Sequence, residues 1–503
     1  MVGMINTDPR QMQMQGLDTG IPVHPQYRNN LNRWNFLIRA YLGGENFRMG
    51  QYLTKYVLES DKEYMTRLMQ TPYDNHVKSI CHIYNSFLYR NLPEREFGNL
   101  EDRPELEEFL KDADFEGRTW NAFMRDVNLM STIYGHCLVV MDRPKTVVGT
   151  RAAELEQGIR PFANLFTPEN ILDWEFSRMP SGKYELTYLK LLEEQSLSYG
   201  QPSKFYVRTY TLDTISLHEY QNNQNEKLNL IEEMANPLGV IPAVFVYAQR
   251  SPVRGIGVSD IGDVADFALT ISNSLSEIEQ LIRLSNHPTL AKTSETDAQA
   301  GAGAIITMPN ELDPGLKPYL LQPSGQSLES ILSTIENNVK AIDRMSHMGA
   351  IRSIETRQMS GVAMMSEFLT LDAKLSEKAQ NLELAEEQLF RLFSLWQSEA
   401  WTGEIKYPMA FHIRDKNLDI DILKKAADTN PTDPRVKRAI DMKILDLLDL
   451  DEDELAEMNS TPDQSEIQDQ LMTGESNQEI QQNIPGTTEQ DIVAAAAAAA
   501  LEN

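Results

Sequence analysis

The chain has 503 residues, of which 41% are hydrophobic and 24% charged, and its formal net charge at pH 7 is −28. This length and composition predict two to four globular domains. The acidic balance argues against sequence-specific binding to duplex nucleic acid, which needs basic patches. The apolar run 240–248 is far too short to cross a bilayer, and the Met- and Gln-rich N-terminus lacks the apolar segment of a signal peptide.

The first half of the chain predicts an α+β body that is mainly helical. Residues 1–30 are polar and predict an extended or disordered arm. Apolar residues at helical spacing predict helices over most of 31–90, and then over 105–113 and 120–132. Alternating or continuous apolar runs predict strands at 137–141, 171–176, 184–191, 204–212, 214–220 and 243–247.

Long helices are predicted in the centre of the chain, at 259–286, 326–348 and 362–401. Ser259 or Asp260 could cap the first helix, which ends before Pro288 because the residue before a proline is pushed out of the helical region. Each helix has one apolar stripe and one polar face. The first two, joined by a small insert, have little core of their own. We therefore expect their stripes to be buried against one another and against copies of the chain in a ring.

The chain ends in an acidic region. A strand is predicted at 404–413, and helices at 418–428 and 433–450, the second of which begins with an Asp-Pro cap. No Lys or Arg follows Lys443, and the residues beyond it supply about half of the net negative charge. Disorder is expected beyond about Thr461.

Several short stretches occur in an order that resembles tailed-bacteriophage portal proteins, the rings at one capsid vertex. The stretches are Tyr134-Gly135 with Asp142-Arg143-Pro144, Thr167-Pro168-Glu169-Asn170-Ile171-Leu172-Asp173-Trp174, Leu238-Gly239-Val240-Ile241-Pro242, Gly257-Val258-Ser259-Asp260 and Met359-Ser360-Gly361-Val362-Ala363. None of them is a catalytic signature. The resemblance lies in their order across roughly residues 30 to 450.

The resemblance implies an architecture of wing, stem, clip and crown that assembles as a ring, usually of twelve subunits. Its parts would be an N-terminal arm (1–30), a wing (31–253), a first stem helix (254–286), a clip (287–325), a second stem helix (326–347), a tunnel loop (348–361), a long wing helix (362–401) and a crown (402–460). The acidic tail (461–503) departs from the family pattern and receives no role.

The resemblance also implies a function and partners. The ring would be the channel for packaging and ejection of double-stranded DNA, which passes through without sequence specificity. It would dock the terminase large subunit and head-tail adaptor proteins, and contact major capsid and scaffold proteins. The expected location is the virion, after assembly in the bacterial host cytoplasm, with no membrane and no cofactor. The alternative is an oligomeric scaffold or interaction protein of a virion that has no channel.

Three groups of residues are implied as sites. The tunnel-loop residues Arg352, Arg357 and Gln358 would contact DNA, unless the loop is only a solvent-exposed connection. The stem acids Asp260, Asp263, Asp266, Glu277 and Glu279 would line the channel as a negative wall, unless they are a solvated helix face with favourable charge near its N-terminus. The clip residues Ala304, Ile305 and Ile306 would pair between subunits, unless they form a small local core.

No enzyme motif is found in the sequence. Ser181-Gly182-Lys183-Tyr184 lacks the upstream glycine and the hydroxyl of a phosphate-binding loop, and no zinc-protease or GxSxG pattern occurs. Cys81 and Cys137 lie in apolar sequence without metal-ligand spacing, which predicts buried free thiols. His82 and His136 are predicted in the core or an interface. We therefore expect no enzyme activity, and a packaging ATPase would be a separate protein.

Overall fold

The computed structural model describes residues 21–144, 153, 157–195, 204–221, 228–286, 289–291, 319–321, 325–352, 361–411 and 425. The chain divides into two compact units, Met1–His412 and Ile413–Asn503. All elements named below belong to the first unit. Apart from Lys425, which is helical, the predicted helices at 418–428 and 433–450 and the acidic tail lie outside the described residues.

The N-terminal third is helical. Its helices are α1 (Pro25–Leu42), α2 (Gly44–Met49), α3 (Asp61–Gln70), α4 (His76–Leu88), α5 (Pro104–Lys111) and α6 (Trp120–Tyr134). The prediction of an extended arm over 1–30 is wrong at its end, because α1 begins at Pro25. The His24 ring accepts a hydrogen bond from the Gln26 amide there, and Tyr27 is fully buried. A proline in the first helical turn is favourable, because its missing N–H would have no helical partner.

The strands form two main antiparallel sheets. They are β1 (Glu94–Glu96), β2 (His136–Asp142), β3 (Phe162–Phe166), β4 (Ile171–Arg178), β5 (Tyr184–Gln195), β6 (Lys204–Thr211), β7 (Thr214–Tyr220), β8 (Leu228–Ala235), β9 (Ala243–Tyr247), β10 (Gln249–Arg250) and β11 (Gly257–Val258). One sheet has the order β4-β5-β6-β7-β8, and the other has the order β3-β2-β9. In the second sheet Cys137 pairs with Val246 and Val139 with Leu165. Strands β10 and β11 pair as a short ribbon.

The centre of the chain contains the long helices that the apolar spacing predicts. The elements are α7 (Gly262–Asn286), β12 (Thr289–Ala291), β13 (Tyr319–Leu321), α8 (Gly325–Met345), α9 (Gly349–Arg352), α10 (Gly361–Trp396) and β14 (Glu404–Lys406). Strand β14 is shorter than the predicted strand at 404–413, and it pairs with β1, far away in the sequence. The described unit therefore contains both helices and sheets, as the predicted α+β class requires.

The apolar stripe of helix α10 is buried within the subunit itself. It packs on β2, β9 and α4, and its apolar stripe is at most 3% exposed at Leu371, Leu375, Ala379, Leu382, Ala385, Leu389, Phe390 and Phe393. Copies of the chain are therefore not needed to cover this helix. Unlike the two helices joined by the insert, for which we expect burial against copies of the chain, α10 has its stripe covered by the subunit's own sheet.

A buried carboxylate on α10 ties three distant segments together. Glu386 is fully buried, and it accepts hydrogen bonds from Arg95 Nε at 2.5 Å, Trp120 Nε1 at 2.6 Å and the Tyr407 hydroxyl at 2.5 Å. These donors lie on β1, at the start of α6 and just after β14. We call this group the Glu386 cluster. It fixes the β1–β14 pair against the long helix.

Candidate functional site: the helical hairpin and its root

Helices α7 and α8 form an antiparallel hairpin, which we call the helical hairpin. Its tip is closed by β12 and β13, with Thr289 opposite Leu321, and the two helices pack against each other. We call the part of α7 up to Ile271 the root, and the remainder of α7 with the part of α8 facing it the distal half. The hairpin is the element from which the predicted stem is built.

The two halves of the hairpin differ in burial. At the root, Val264, Ala265, Ala268 and Ile271 are at most 2% exposed, because the root packs on α1 and α4. In the distal half Ile282 is 40% and Leu332 is 45% exposed. The root is therefore buried by the body of the same subunit, so the expectation that the stripes are buried only against one another and against copies of the chain is wrong for the root.

Three of the portal-like stretches meet at the root. Ser259 Oγ donates to the Ile133 carbonyl at 2.6 Å, and the Asp260 amide donates to the Thr132 carbonyl at 3.2 Å. The Tyr134 hydroxyl donates to the Glu169 carboxylate at 2.9 Å. Residues from around 134, 169 and 259 therefore form one connected structure, although each stretch by itself is a weak sequence match.

Two glycines allow the backbones to approach closely at the root. Gly135 has φ +92°, in the left-handed region, and a Cβ at this position would lie 2.6 Å from the Gly257 carbonyl oxygen. A Cβ at Gly257 would lie 2.0 Å from the Gly135 oxygen. The Gly257 amide also donates to Nδ1 of the fully buried His136 at 3.3 Å. Burial lowers the pKa of His136 to about 3, so its ring is neutral at pH 7, in keeping with a core role.

Replacing Gly135 by Ala is expected to destabilise the protein, because the new methyl group would collide with backbone that cannot move aside. Gly117→Ala is the matched control, since Gly117 has φ +86° but no atom within 4 Å of its Cβ position. Both variants place alanine at a positive φ, so the backbone strain is common to the two. We expect Gly135→Ala to lose about 1–3 kcal/mol more than Gly117→Ala in urea unfolding. An equal decrease in the free energy of unfolding for both variants would mean that the close approach of the Gly135 and Gly257 backbones makes no difference to the cost of the added methyl group.

The root is anchored by a buried ionic cluster, the Asp260 anchor. The Asp260 carboxylate is fully buried, with Lys378 Nζ at 2.7 Å and Lys374 Nζ at 3.0 Å. Lys378 is 3% exposed and also donates to Thr132 Oγ1 at 2.8 Å. Burial alone would raise the pKa of the Asp260 carboxyl, but the two ammonium groups prevail and hold it below its ordinary value. The anchor joins the start of α7 to α10 and to the end of α6.

The prediction that Asp260 lines an open channel is wrong, because its carboxylate is enclosed within the subunit by the two lysines. Asp266 forms an ion pair with Arg33 on α1, with Nη1 to Oδ1 at 2.5 Å. Glu277 accepts from the Tyr56 hydroxyl at 2.5 Å. Asp263 is exposed and Glu279 is half-buried. The five acids therefore do not form one uniform wall, and Asp263 is the one among them that is exposed without a side-chain contact described here.

The other predicted residues are placed less completely. Arg352 ends the short helix α9, so the predicted tunnel loop is helical at its start. Arg357 and Gln358 lie outside the described residues, as do Ala304, Ile305 and Ile306 in the predicted clip. The DNA-contact and clip-pairing roles therefore remain predictions.

The structure adds residues that the sequence reasoning missed. Arg33, Arg67, Lys374 and Lys378 all hold the hairpin against the body. The two lysines could have been noticed, because Lys378 falls within the apolar stripe between Leu375 and Leu382, where a charge needs a partner. That partner, Asp260, lies 118 residues away in the sequence. No pattern in the sequence near Lys378 identifies it.

Other chemistry is sparse within the described part of the chain. Among those residues, no three or more His, Cys, Asp or Glu side chains converge as metal ligands. None of the described helices is long and apolar enough to cross a membrane. Cys81 and Cys137 are free and buried, as predicted, and burial raises the pKa of both thiols. The hairpin and its root therefore remain the best-defined candidate site.

Comparisons with known proteins give structural neighbours only. No family model and no curated protein matches the chain. A chain from the neck of an empty gene transfer agent particle, computed with C6 symmetry, aligns with a TM-score of 0.43 and 9% identity, over 79% of this chain and 98% of that one. A chain from the virion of a native gene transfer agent particle aligns with a TM-score of 0.42 and 10% identity, over 86% and 99%. At TM-scores below 0.5, the function of the present chain has to be argued from its own residues.

Proposed function

We propose that this chain is the subunit of a portal-type ring, which forms a channel for double-stranded DNA at one vertex of a phage-type capsid. The observation that carries the proposal is the convergence at the hairpin root. Residues of the stretches that resemble portal sequence, around 134, 169 and 259, are in contact there. Their order along the chain therefore corresponds to one three-dimensional feature.

The two halves of the hairpin support assembly into a ring. The root is fixed to the body by the Asp260 anchor, and the distal half presents exposed apolar residues such as Ile282 and Leu332. Identical subunits that bind head to tail close into a ring when the rotation between neighbours permits it. Twelve copies are the family's usual number and are part of this proposal.

The charge of the chain suits a conduit for DNA. A net charge of −28 disfavours tight phosphate contacts, whose number sets the strength of non-specific DNA binding. We propose that Asp263 and Glu279 face the lumen, and that Arg352, Arg357 and Gln358 supply the few contacts to passing DNA. Ala304, Ile305 and Ile306 would pair between subunits at the clip. Terminase, head-tail adaptors and capsid and scaffold proteins would be the partners.

Electron microscopy of the purified full-length chain tests this proposal. We expect turbine-shaped rings with a central hole wide enough for a DNA duplex, and sedimentation of a single large oligomer. An oligomer without an axial hole would support the alternative of a channel-free virion scaffold. A stable monomer at micromolar concentration would refute both assignments.

The proposed DNA contacts make a separate prediction. In rings carrying both Arg352→Ala and Arg357→Ala, we expect less DNA packaged and retained per particle, because two positive charges near phosphates are lost. Ring assembly should be unchanged. Arg90→Ala is the control, since Arg90 is exposed at the end of α4 on the body. Packaged DNA is measured by nuclease protection, and a yield equal to that of the control would remove the contact role.

A further inference from the structure

Exposed apolar side chains that the function above does not use lie in the turn before α3 and on α3 itself. Val57 is 99% exposed, Leu58 96%, Met65 44% and Met69 57%. The first two form a turn and the methionines lie four residues apart on α3, so all four belong to one segment. We call this segment, residues 54–69, the turn–α3 surface. Neighbouring apolar side chains that are almost fully exposed, as Val57 and Leu58 are, commonly mark a binding surface.

The turn is held rigidly. Arg67, only 4% exposed, donates to the Thr54 carbonyl at 2.7 Å and to both carboxylate oxygens of Glu59 at 2.8 Å. Its guanidinium lies 4.2 Å from the ring centroid of Tyr56. The residues on either side of Val57 and Leu58 are therefore fixed, and both side chains are presented to solvent by a structured support.

The same arginine fixes the turn against the distal half of α7. Arg67 Nη1 donates to Ser276 Oγ at 2.9 Å, and the Thr54 amide donates to Asn273 Oδ1 at 2.9 Å. A hollow of about 680 Å³ lies between the turn–α3 surface and α7. Its lining includes Tyr56, Leu58, Lys62, Thr66, Gln280 and Arg283. The hollow therefore combines the side chains of Tyr56 and Leu58 with exposed cations at Lys62 and Arg283. It is also lined by two acids, Glu59, which is paired with Arg67, and Glu63, which is engaged in the N-terminal cap of α3.

Helix α8 carries a complementary face, and its distance from the hairpin tip is similar to that of the turn. Leu332, 45% exposed, has Glu329 three residues before it and Glu336 four residues after it, and both acids are exposed. This spacing places the three side chains on one helix face. At 1.5 Å per residue, Leu332 lies about 10 Å from the start of α8, and Glu277, beside the turn, lies about 14 Å from the end of α7.

Within one subunit these two surfaces do not cover each other, since Leu58 and Leu332 are both exposed. A rotation about an axis parallel to the hairpin carries each point to the same height on the next copy. We infer that the hollow of one subunit receives α8 of its neighbour, with Leu332 against Val57 and Leu58. Glu329 and Glu336 then lie near Lys62 and Arg283. This inference rests on the proposed ring and names the contact that closes it.

Cysteine cross-linking in the full chain tests the contact. Under a mild oxidant, the Leu58→Cys, Leu332→Cys double variant should give a ladder of dimers, trimers and larger species on a non-reducing gel. Each interface would join position 58 of one subunit to position 332 of the next, so every subunit can be linked to two neighbours. Each single variant should stay uncross-linked, and Cys81 and Cys137 are buried. The control pair Leu58→Cys, Leu384→Cys uses another exposed leucine, 49% accessible on α10, and should give no ladder.

The other outcomes separate this contact from the ring itself. Dimers from Leu58→Cys alone would show a symmetric contact and overturn the inference. Rings seen by microscopy without the ladder would also overturn it and leave the proposed function standing, whereas the absence of rings would overturn both. In addition, Val57→Ser with Leu58→Ser should raise the protein concentration for half-assembly by about tenfold or more. Leu384→Ser should leave that concentration unchanged, and equal behaviour of the two variants would contradict the contact.

Discussion

Asp260→Ala is expected to lower the free energy of unfolding at pH 7 by about 3–5 kcal/mol, the usual cost of removing one partner from a buried ion pair. The substitution leaves Lys378 and Lys374 buried or nearly so, with no opposing charge beside them. Chemical unfolding at a fixed protein concentration measures the loss, because assembly also adds to the apparent stability. Asp263→Ala is the matched control at the start of the same helix, and we expect it to cost less than about 1 kcal/mol.

The effect of Asp260→Ala should depend on pH in a defined direction. The pKa of the Asp260 carboxyl is lower in the folded protein than its ordinary value, which is about 3.9 in an unfolded chain. The anchor's contribution is therefore complete above about pH 4, and it is lost as pH falls through the lower folded pKa. The difference between the parent chain and Asp260→Ala should narrow only below about pH 4. A difference that narrows between pH 8 and 5 would assign the effect to another group.

Replacing the whole anchor distinguishes two causes of destabilisation, a buried charge left without a partner and the loss of packing. In the triple variant Asp260→Leu, Lys374→Met, Lys378→Met, no charge is left buried without a partner. Such apolar replacements of buried ion clusters are often neutral or stabilising. We therefore expect the triple variant to be more stable than Asp260→Ala. A triple variant that is no better than the single one would show that the anchor acts through geometry and not through charge.

Glu386→Ala is the second substitution with a large expected effect, again about 3–5 kcal/mol, because it strands the buried Arg95 guanidinium. It also leaves the Trp120 and Tyr407 donors without their acceptor. The adjacent Glu387→Ala is the control. Glu387 pairs with the 60% exposed Arg391 at 2.9 Å, and such surface pairs contribute about 1 kcal/mol or less. Thermal unfolding of the two variants should differ clearly, and coincident curves would contradict a structural role for the Glu386 cluster.

Glu386→Gln refines this prediction. The amide oxygen can still accept hydrogen bonds from part of the donor set, but the negative charge facing Arg95 is gone. We expect a stability between those of the parent chain and Glu386→Ala. If Gln were as harmful as Ala, the charge itself would be the decisive property of this side chain.

The helices of this chain could be predicted from the sequence because their apolar stripes are long and regular. The predicted ends of α7, α8 and α10 lie within five residues of the observed ends. Strands with a clear apolar pattern, such as β7 and the continuously apolar β9, were found at their observed bounds. Strand β8 was missed because it is an edge strand exposed along most of its length, so it has no alternation of apolar and polar residues.

The candidate site was less predictable, because its contacts join residues that are far apart in the sequence. An acid at position 260 looks the same in the sequence whether it faces solvent or two buried lysines. The covering of α10 by its own sheet likewise depends on β2 and β9, which come more than a hundred residues earlier. The turn at Val57 and Leu58 has no periodic pattern, and its importance follows only from its exposure.

The Asp260 anchor attaches the base of the hairpin to α10 through Lys374 and Lys378. We expect a load on the far end of the hairpin to reach α10 through these ion pairs, and Glu386 lies about 12 Å beyond Lys378 along that helix. The Glu386 cluster joins α10 to β1 and to the end of β14, so we expect the same load to reach this strand pair. Spin labels at Ile282 and Leu384 should move together when the tip is loaded, and independent movement would show that the two helices are uncoupled.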